Sequence, residues 1–396
     1  TGSLPVTMAT PHPALHPAEA GLPPPSPVAA EHGQQVLAHV RELVAQAPAA
    51  GSGERTISFA DFMQQVLYAP GLGYYTAGAT KLGGAGDFVT APELSPLFGA
   101  TLADAFAPLG DSGVIELGAG TGKLARDFIA ADPLRRAYAI LELSADLQQR
   151  QQALLAGSGV QWLAQLPARI DGLVLANEVL DAVPCEVVRF ANGRYEQARL
   201  AVNAEHFEWR WQPLLDGSLL AAAKHRVPPI EGYQSEINLA AEALVGTLAS
   251  RLGNGALCFI DYGFPRREYY LAERRGGTLA CHYQQRVHFD PLILAGLQDV
   301  TAHVDFTAMA EAAVDAGASV ICYATQAQFL LQGGLLKRLQ ATQFASDAAH
   351  ANALNAMQKL ISPAEMGELF KVLVVGKGAA IDQLASLSAV DQCFRL

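Results

Sequence analysis

A glycine turn between residues 114 and 124 constrains this chain more than any other feature of its sequence. The segment reads Val-Ile-Glu-Leu-Gly-Ala-Gly-Thr-Gly-Lys-Leu, with glycines at the alternate positions Gly118, Gly120 and Gly122. Apolar residues and a carboxylate, Glu116, precede the glycines, and an amphipathic stretch follows them at once. This pattern predicts a buried strand, a tight turn and the start of a helix.

Such a turn can bind a small charged ligand. Glycine tolerates positive φ and lets the backbone approach a ligand closely, and a helix start offers unpaired N–H groups and a positive dipole end. Glu116, two residues before the first glycine, suits a ligand with a positive amine. We therefore expect S-adenosylmethionine, which carries an ammonium, a carboxylate and a sulfonium group, to bind at Gly118, Ala119, Gly120 and Gly122.

Two other ligand-binding motifs do not match the turn, and one alternative interpretation is open. A Walker A loop requires a glycine, four residues and then Gly-Lys-Ser/Thr, whereas Leu124 follows Gly122 and Lys123 here. A dinucleotide-binding turn reads G-x-G-x-x-G, and the third glycine comes one residue early here. The remaining alternative is an ordinary turn between a strand and a helix, because a glycine motif counts only in its structural context.

The composition argues against several classes of protein. The chain has 396 residues, 51% of them hydrophobic, which is enough for roughly two domains or one domain with insertions. A net charge of −11 argues against a nucleic-acid groove, and no apolar run approaches the ~20 residues of a transmembrane helix. Five cysteines without a C-x-x-C pair and ten scattered histidines indicate reduced thiols and no metal site.

The first 30 residues are rich in proline and alanine, which predicts a poorly ordered tail. They lack the basic start and apolar centre of a secretory signal. They also contain no arginine or lysine, unlike an amphipathic transit peptide. We therefore expect a cytoplasmic protein.

The hydrophobic pattern predicts an α/β fold. Helical spacing predicts helices over 34–47, after Ser58, and over 93–106. Apolar segments then alternate with helices, which predicts a parallel sheet covered on both faces. The predicted strands are 114–117, 137–143, 160–163, 173–176, 256–260, 319–323 and 371–375. Residues 187–211 alternate around Asn192-Gly193, which predicts a small antiparallel β insertion.

Polar residues follow several predicted strands, at the sheet edge where ligands bind in such folds. Glu142 comes about 24 residues after Gly118 and is expected to accept both ribose hydroxyls, with a helix-capping glutamate as the alternative. Gln165 and Leu166 follow the third strand, where an adenine edge would lie, although a plain loop is equally consistent.

Asn177, Glu178 and Asp181 follow the fourth predicted strand. Carboxylates there could hold a guanidinium acceptor in a bidentate fork and favour charge build-up during attack. The string is not the Asn/Asp-Pro-Pro-aromatic signature of enzymes that methylate amino groups of bases. Loop carboxylates without a catalytic role are the alternative.

A Gly- and Tyr-rich stretch before the glycine turn contains Tyr75, Gly86, Asp87 and Thr90. Its composition predicts a loop, and a plain surface loop is one interpretation. The functional interpretation is a lid over the cofactor, with an aromatic ring near the sulfonium for a cation–π contact.

At these residues the sequence resembles the MidA family of S-adenosylmethionine-dependent methyltransferases, whose mitochondrial members act in assembly of respiratory complex I. The matching strings are 71–75 (GLGYY), 86–99 (GDFVTAPELSPLFG), the glycine turn, 176–184 (ANEVLDAVP), 260–263 (IDYG) and 299–306 (DVTAHVDF). They span most of the chain. Val179-Leu180 replace the aromatic residues usual after Asn-Glu, and Val183-Pro184 replace a usual Leu-Pro.

The resemblance implies a Rossmann-like, seven-stranded methyltransferase sheet with helical N-terminal elements and a β insertion. It also implies protein arginine methylation, with a respiratory NADH dehydrogenase subunit as the target in the mitochondrial members. The predicted segments are a tail (1–30), a helical extension with the lid loop (31–110), the core (111–186 and 236–378), the β insertion (187–235) and a C-terminal tail (379–396). Neither the acceptor protein nor the oligomeric state follows from the resemblance.

The leading hypothesis is thus a methyltransferase in which Glu178, Asp181 and Asp87 hold or deprotonate the acceptor. The residues expected to bind the cofactor are Glu116, Gly118, Ala119, Gly120, Gly122, Glu142, Gln165, Leu166, Asn177, Tyr75, Gly86 and Thr90. The alternative is a non-catalytic assembly or binding factor that keeps the cofactor-binding fold. A nicotinamide-dependent oxidoreductase is a weaker third hypothesis, because the glycine spacing disfavours it.

Overall fold

The computed structural model describes residues 20–49, 53–77, 90–203 and 206–396. The strands are β1 (Ile57–Ser58), β2 (Gly113–Leu117), β3 (Tyr138–Leu141), β4 (Gln161–Trp162), β5 (Ile170–Asn177), β6 (Glu186–Ala191), β7 (Arg194–Asn203), β8 (His206–Pro213), β9 (Tyr233–Ile237), β10 (Leu252–Phe264), β11 (Ala280–Tyr283), β12 (Arg286–His288), β13 (Asp299–Thr301), β14 (Val304–Asp305), β15 (Ser319–Thr325) and β16 (Phe370–Lys377).

The helices are α1 (Pro27–Gln46), α2 (Phe59–Tyr68), α3 (Ala91–Leu94), α4 (Pro96–Ala105), α5 (Lys123–Ala131), α6 (Ala145–Leu154), α7 (Gly217–Arg226), α8 (Leu239–Arg251), α9 (Arg266–Tyr269), α10 (Phe306–Asp315), α11 (Gln326–Gln332), α12 (Leu335–Ala341), α13 (Asp347–Ile361), α14 (Met366–Leu369) and α15 (Ala380–Gln383). Short 3-10 helices cover Ala107–Leu109, Ala385–Val390 and Cys393–Arg395.

The described residues fall into two compact units. The first unit takes its residues from 1–79, 182–241 and 266–303. The second unit takes its residues from 80–181, 242–265 and 304–396. The β insertion thus belongs to the same unit as the first part of the N-terminal extension, whereas α3 and α4 belong to the unit that carries the glycine turn.

The second unit is built on a sheet with the strand order β15-β16-β10-β5-β2-β3-β4, and β14 pairs with β10. Strands occur at all seven predicted segments, so the α/β, Rossmann-like prediction is confirmed. The expectation of a parallel sheet is wrong at one position, because β16 runs antiparallel to both β10 and β15. β16 is buried along almost its whole length. A continuous apolar run indicates that a strand is buried on both faces, but it does not indicate the direction in which the strand runs.

Helices α4 and α5 lie close together beside this sheet because Gly99 has no side chain. A Cβ atom at Gly99 would come within 3.0 Å of the backbone nitrogen of Phe128. The buried guanidinium of Arg136 adds a second link, since it pairs with Asp132 and donates 2.8 Å to the carbonyl of Phe106. These contacts hold the C-terminal half of α5, the helix that follows the glycine turn, against α4.

The predicted helix over 93–106 is divided in two at Ser95. Ser95 is extended, with φ −158° and ψ 136°, and it caps α4 by accepting a hydrogen bond from the N–H of Leu97. Pro96 explains the break, because a residue that precedes proline is driven out of the helical region.

The first unit contains the antiparallel β insertion predicted around the Asn192-Gly193 turn. Both turn residues have positive φ, 52° and 72°, and the turn joins β6 to β7. The sheet has the order β1-β7-β6-β9, with β8 on β7. In the same unit Ser58 and Asp61 form the reciprocal cap of α2, so the predicted capped helix is present.

Three features differ from the sequence-based expectations. Helix α1 begins at Pro27, seven residues earlier than predicted, because Ser26 accepts a hydrogen bond from the N–H of Ala29 and proline suits the first helical position. A three-stranded sheet, β12-β11-β13, was not predicted, since its strands are very short. The predicted C-terminal tail is instead packed, with Leu384 and Leu387 buried in the core of the second unit.

Candidate active site

The glycine turn has the backbone conformation that its sequence predicts. Gly118, Gly120 and Gly122 all have positive φ, at 59°, 54° and 84°. The N–H of Gly118 donates 3.0 Å to the carbonyl of Leu141 in the neighbouring strand β3. Helix α5 begins directly after Gly122, which offers no side-chain acceptor to the first helical turn. The strand–turn–helix context required of a ligand-binding turn is therefore present.

Glu93 supports this turn and was missed by the sequence analysis. Its carboxylate accepts hydrogen bonds from the hydroxyl of Thr121 and the ammonium of Lys123, and its side chain is only 5% exposed. The signal was its place in the 86–99 string, which lies outside the general glycine motif. Glu93 connects α3 to the glycine turn.

Glu116 lies in β2 and is buried. The hydroxyl of Tyr138 donates 2.9 Å to its carboxylate. Burial raises the pKa of Glu116 to about 8, and the neighbouring Glu142 carboxylate adds to the rise while the Tyr138 hydrogen bond opposes it. A positive group beside Glu116 would favour its ionised form.

Glu142 follows the end of β3. Its two oxygens accept hydrogen bonds from the backbone N–H of Ser144 at 3.0 Å and from the side-chain amide of Gln151 at 2.9 Å. Burial raises the pKa of Glu142, and these donors lower it in part. The next residue, Leu143, is apolar yet 77% exposed. This pair offers a carboxylate and an apolar surface at the same strand end.

The structure shows fewer contacts for the other residues predicted to bind the cofactor. Gln165 is exposed, and Leu166 is half-buried with its carbonyl bound to Arg251 at 2.9 Å. Thr90 stands at the start of α3. Gly86 and Asp87 lie outside the described residues.

Tyr75 belongs to the first unit. Its hydroxyl donates 2.9 Å to the carboxylate of Asp299, and its ring stacks on Tyr68 with the ring centres 5.5 Å apart. Its contact with the cofactor stays a prediction.

The Asn177-Glu178 segment forms a tight turn at the carboxyl end of β5. Glu178 has φ 54°, the left-handed region that residues with side chains rarely adopt. Its N–H donates 2.9 Å to the carbonyl of Ile260 in β10. One oxygen of Asp261 accepts the next backbone N–H groups, those of Val179 at 3.1 Å, Leu180 at 2.9 Å and Asp181 at 3.3 Å.

This turn lies against the glycine turn. A Cβ atom at Gly118 would come 3.3 Å from a methyl group of Val179. The structure therefore brings the glycine turn, predicted to bind the cofactor, next to the turn of Glu178 and Asp181, predicted to bind the acceptor. Strand order explains the proximity, because β5 lies directly beside β2.

Three carboxylates and a phenol share the edge formed by β5 and β10. Burial, followed by the charge of Glu178, raises the pKa of Asp261 above its ordinary value, although backbone N–H donors oppose the rise. Burial and the carboxylates of Glu178, Asp181 and Asp261 raise the pKa of Tyr262. The side-chain amide of Asn177 donates 3.1 Å to Glu178, and its buried oxygen has no hydrogen-bond partner among the described residues. This edge is strongly acidic and offers acceptors to a cationic group.

Within the described ranges, no group of three His, Cys, Asp or Glu side chains could hold a metal ion. No helix among these residues has the length and hydropathy needed to cross a membrane.

Two solved structures are similar to this chain over almost its full length. A Burkholderia thailandensis member of the COG1565 superfamily, crystallised with S-adenosyl-homocysteine, is 41% identical to this chain. The TM-score is 0.87, with 95% of this chain and 100% of that chain covered. A native crystal structure from Burkholderia thailandensis is 40% identical, with a TM-score of 0.85 and the same coverage.

Curated relatives are similar over most of their length. The Danio rerio mitochondrial protein arginine methyltransferase NDUFAF7 is 27% identical over 83% of this chain and 85% of its own. The Drosophila melanogaster homolog is 27% identical over 81% of this chain and 82% of its own. The Homo sapiens protein is 25% identical over 79% of this chain and 78% of its own.

Residues 97–324, more than half of the chain, match the sequence pattern of one family. They include the glycine turn, Glu142, Glu178 and Asp261. The resemblance to MidA-type enzymes is confirmed, and S-adenosylmethionine is the cofactor. The chain belongs to this family of S-adenosyl-L-methionine-dependent methyltransferases.

Proposed function

We propose that this chain methylates an arginine side chain of a protein substrate. The observation that carries the proposal is the acidic turn of Glu178 and Asp181, which Asp261 fixes and which lies against the glycine turn. Carboxylates suit a guanidinium, since they can bind it through paired, charge-assisted hydrogen bonds. The curated relatives, which are named as protein arginine methyltransferases, support the same class of acceptor.

The residues around the glycine turn fit the cofactor. We assign the amino acid end to Glu116 and to the backbone of Gly118, Ala119, Gly120 and Gly122. Positive φ at the three glycines and the free start of α5 support this assignment. The buried oxygen of Asn177, which has no hydrogen-bond partner in the part of the chain that the structure describes, provides a further acceptor on this edge.

The nucleoside end is assigned to the strand ends beyond the glycine turn. Glu142 is proposed to accept the ribose hydroxyls, and Gln165 and Leu166 to lie along the adenine edge. Leu143 is added to the predicted set, because its exposed apolar side chain follows Glu142 directly and can cover a purine face. Gly86 and Thr90 keep their predicted place near the cofactor.

The acidic turn would perform the acceptor chemistry. When bound, S-adenosylmethionine supplies an electrophilic methyl group on sulfur. Glu178 and Asp181 orient the guanidinium so that one nitrogen faces that methyl group. As the new C–N bond forms, the bond between methyl and sulfur breaks with its electron pair on sulfur, and the nitrogen releases a proton to Glu178. Asp87 is proposed as a third acceptor-binding carboxylate.

The identity of the substrate protein is a further prediction. By resemblance to the mitochondrial members, a subunit of a respiratory NADH dehydrogenase is the first candidate. The curated relatives are named as mitochondrial proteins, and the cytoplasmic location expected for this chain stays a prediction.

The proposal is tested by incubating the purified chain with labelled cofactor and a lysate of cells that lack the enzyme. Mass spectrometry of the peptides then identifies the methylated side chain. We expect labelling on arginine. Labelling confined to lysine, carboxyl groups or RNA would overturn the arginine proposal, and absence of any transfer despite cofactor binding would favour the non-catalytic binding factor.

A further inference from the structure

Gln151 is an unusual residue in helix α6. It has no exposed surface and is the only buried residue of that helix, which otherwise carries polar and partly exposed side chains. Burying a neutral amide costs free energy unless its polar atoms are hydrogen-bonded. The partners of Gln151 therefore indicate why a glutamine stands at this position.

The amide of Gln151 connects separate elements through both its nitrogen and its oxygen. Its nitrogen donates 2.9 Å to the carbonyl of Gly120 and 2.9 Å to the carboxylate of Glu142. Its oxygen accepts a 3.0 Å hydrogen bond from the indole N–H of Trp162 in β4. The orientation of the amide is unambiguous, because the indole can only donate and the carbonyl can only accept.

We propose that Gln151 is a positioning residue for the cofactor, which fixes Glu142 and the peptide after Gly120 in one arrangement. The inference rests on the proposed assignment of the glycine turn to the amino acid end and of Glu142 to the ribose. Gln151 contacts both the glycine turn and Glu142 but is not itself assigned to bind the cofactor. It therefore acts on the ligand through these two groups.

The bond to Gly120 controls the direction of a backbone donor. A peptide unit is planar, so fixing the carbonyl of Gly120 also fixes the N–H of Thr121. Gly120 has φ 54° and, as glycine, has wide conformational freedom without such a contact. Helix α6 can approach the turn because Gly122 lacks a side chain, since a Cβ atom there would lie 3.3 Å from Gln151.

The bond to Glu142 controls a charged acceptor. Glu142 is largely buried, so its ionised form depends on N–H donors such as Gln151. A leucine at position 151 would fill a similar volume without supplying a donor. Both the direction and the charge of the Glu142 carboxylate would then be less defined.

Calorimetric titration with S-adenosyl-homocysteine tests the proposal, using Gln151→Leu and the matched control Gln149→Leu. Gln149 lies in the same helix but is exposed. We expect Gln151→Leu to weaken binding roughly tenfold or more, the scale of a lost hydrogen bond to a charged group. The control should stay within about twofold, a change of roughly 0.4 kcal/mol. Unchanged affinity in a folded Gln151→Leu variant would overturn the proposal.

A double-mutant cycle separates positioning from a merely structural role. In a Glu142→Ala background, Gln151→Leu should cost less affinity than in the parent, because one of the two groups it positions is gone. Equal losses in the two backgrounds would contradict the proposal. If the unaltered chain itself fails to bind S-adenosyl-homocysteine, the cofactor assignment fails, and that result is distinct from either outcome.

Gln151→Glu provides a second route if the leucine variant does not fold. At pH 8 the substitution places a second carboxylate beside Glu142 and removes a donor. At lower pH a shared proton restores a donor between the two carboxyls. We expect the affinity of this variant, divided by that of the parent at the same pH, to rise as pH falls from 8 to 6. A ratio that does not change with pH would contradict the proposal.

Discussion

One carboxylate oxygen of Asp261 closes the turn in which Glu178 stands with φ 54°. Three successive N–H groups after Glu178 point to that oxygen, and the N–H of Tyr262 donates 3.0 Å to the other. The left-handed conformation of Glu178 is thus stabilised from the neighbouring strand. Backbone strain of this kind persists only where the surroundings enforce it, and it is concentrated at functional sites.

Replacing Asp261 should therefore loosen the acidic turn. Asp261→Ala leaves four N–H groups without their acceptor, so we expect the free energy of unfolding to fall by about 1–3 kcal/mol. Methyl transfer should fall further than affinity for S-adenosyl-homocysteine, because the cofactor residues are not altered. Chemical denaturation and calorimetry measure the two effects. Asp261→Asn, which keeps one oxygen, should lose less stability; an equal or greater loss would argue against the hydrogen-bond explanation.

The strain at Glu178 makes a separate prediction. Glycine adopts positive φ without steric cost, so Glu178→Gly should unfold at the same free energy as the parent or up to about 1 kcal/mol higher. Glu178→Ala keeps the strain and loses the side-chain contacts, and it should be less stable than Glu178→Gly. Denaturation of the three proteins in parallel tests this order. A glycine variant less stable than the alanine variant would show that Glu178 is not strained.

Much of the fold could be predicted from sequence because its signals are local. The alternation around Asn192-Gly193, the capping pair of α2 and the glycine turn are short patterns whose physics acts within a few residues. The break at Ser95 was not predicted, although its signal, the following Pro96, is equally local. The antiparallel direction of β16 could not be predicted, because an apolar strand buried on both faces has the same pattern in either direction.

The supporting residues of the site were harder to predict than the binding residues. Gln151 and Glu93 are recognised only by side-chain contacts that cross 31 and 28 residues of chain. Asp261 directly follows the predicted strand 256–260, but its three N–H partners after Glu178 depend on the register of β10 beside β5. Such contacts carry no periodic signal along the sequence.

The raised pKa of Glu116 predicts pH-dependent stability. An acid with a folded pKa of about 8 and an ordinary value of 4.5 keeps its proton longer in the folded state. Its contribution to stability is therefore full below pH 4.5 and decreases as pH rises towards 8. Relative to Glu116→Gln, the parent should lose on the order of a few kcal/mol of unfolding free energy between pH 5 and pH 8.

Denaturation of both proteins at a series of pH values measures this difference. A constant difference across the range would show that Glu116 is ionised in the folded state. Affinity for S-adenosyl-homocysteine gives an independent check, because the ligand ammonium should favour ionised Glu116. The affinity of the parent should therefore change with pH as Glu116 loses its proton. The affinity of Glu116→Gln should not show this change.

The glycine turn itself is tested by Gly120→Val. A β-branched residue is poorly tolerated at φ 54° and would stand where the backbone meets the cofactor. We expect micromolar-scale binding of S-adenosyl-homocysteine, about −8 kcal/mol, to be lost. Gly157→Val controls for backbone strain alone, since Gly157 also has positive φ, at 78°, and no atom lies near its Cβ position. Parent-like affinity in a folded Gly120→Val variant would show that the cofactor does not bind at the glycine turn.

The most direct test of the account is Glu178→Gln, measured for both cofactor affinity and methyl transfer to protein arginine. The variant keeps the shape of the side chain but removes its charge, which we propose acts on the guanidinium during transfer. Affinity for S-adenosyl-homocysteine should equal that of the parent, and the transfer rate should fall roughly 10²-fold or more, the scale of one lost transition-state contact. A parent-like rate of arginine methylation in Glu178→Gln would contradict the account.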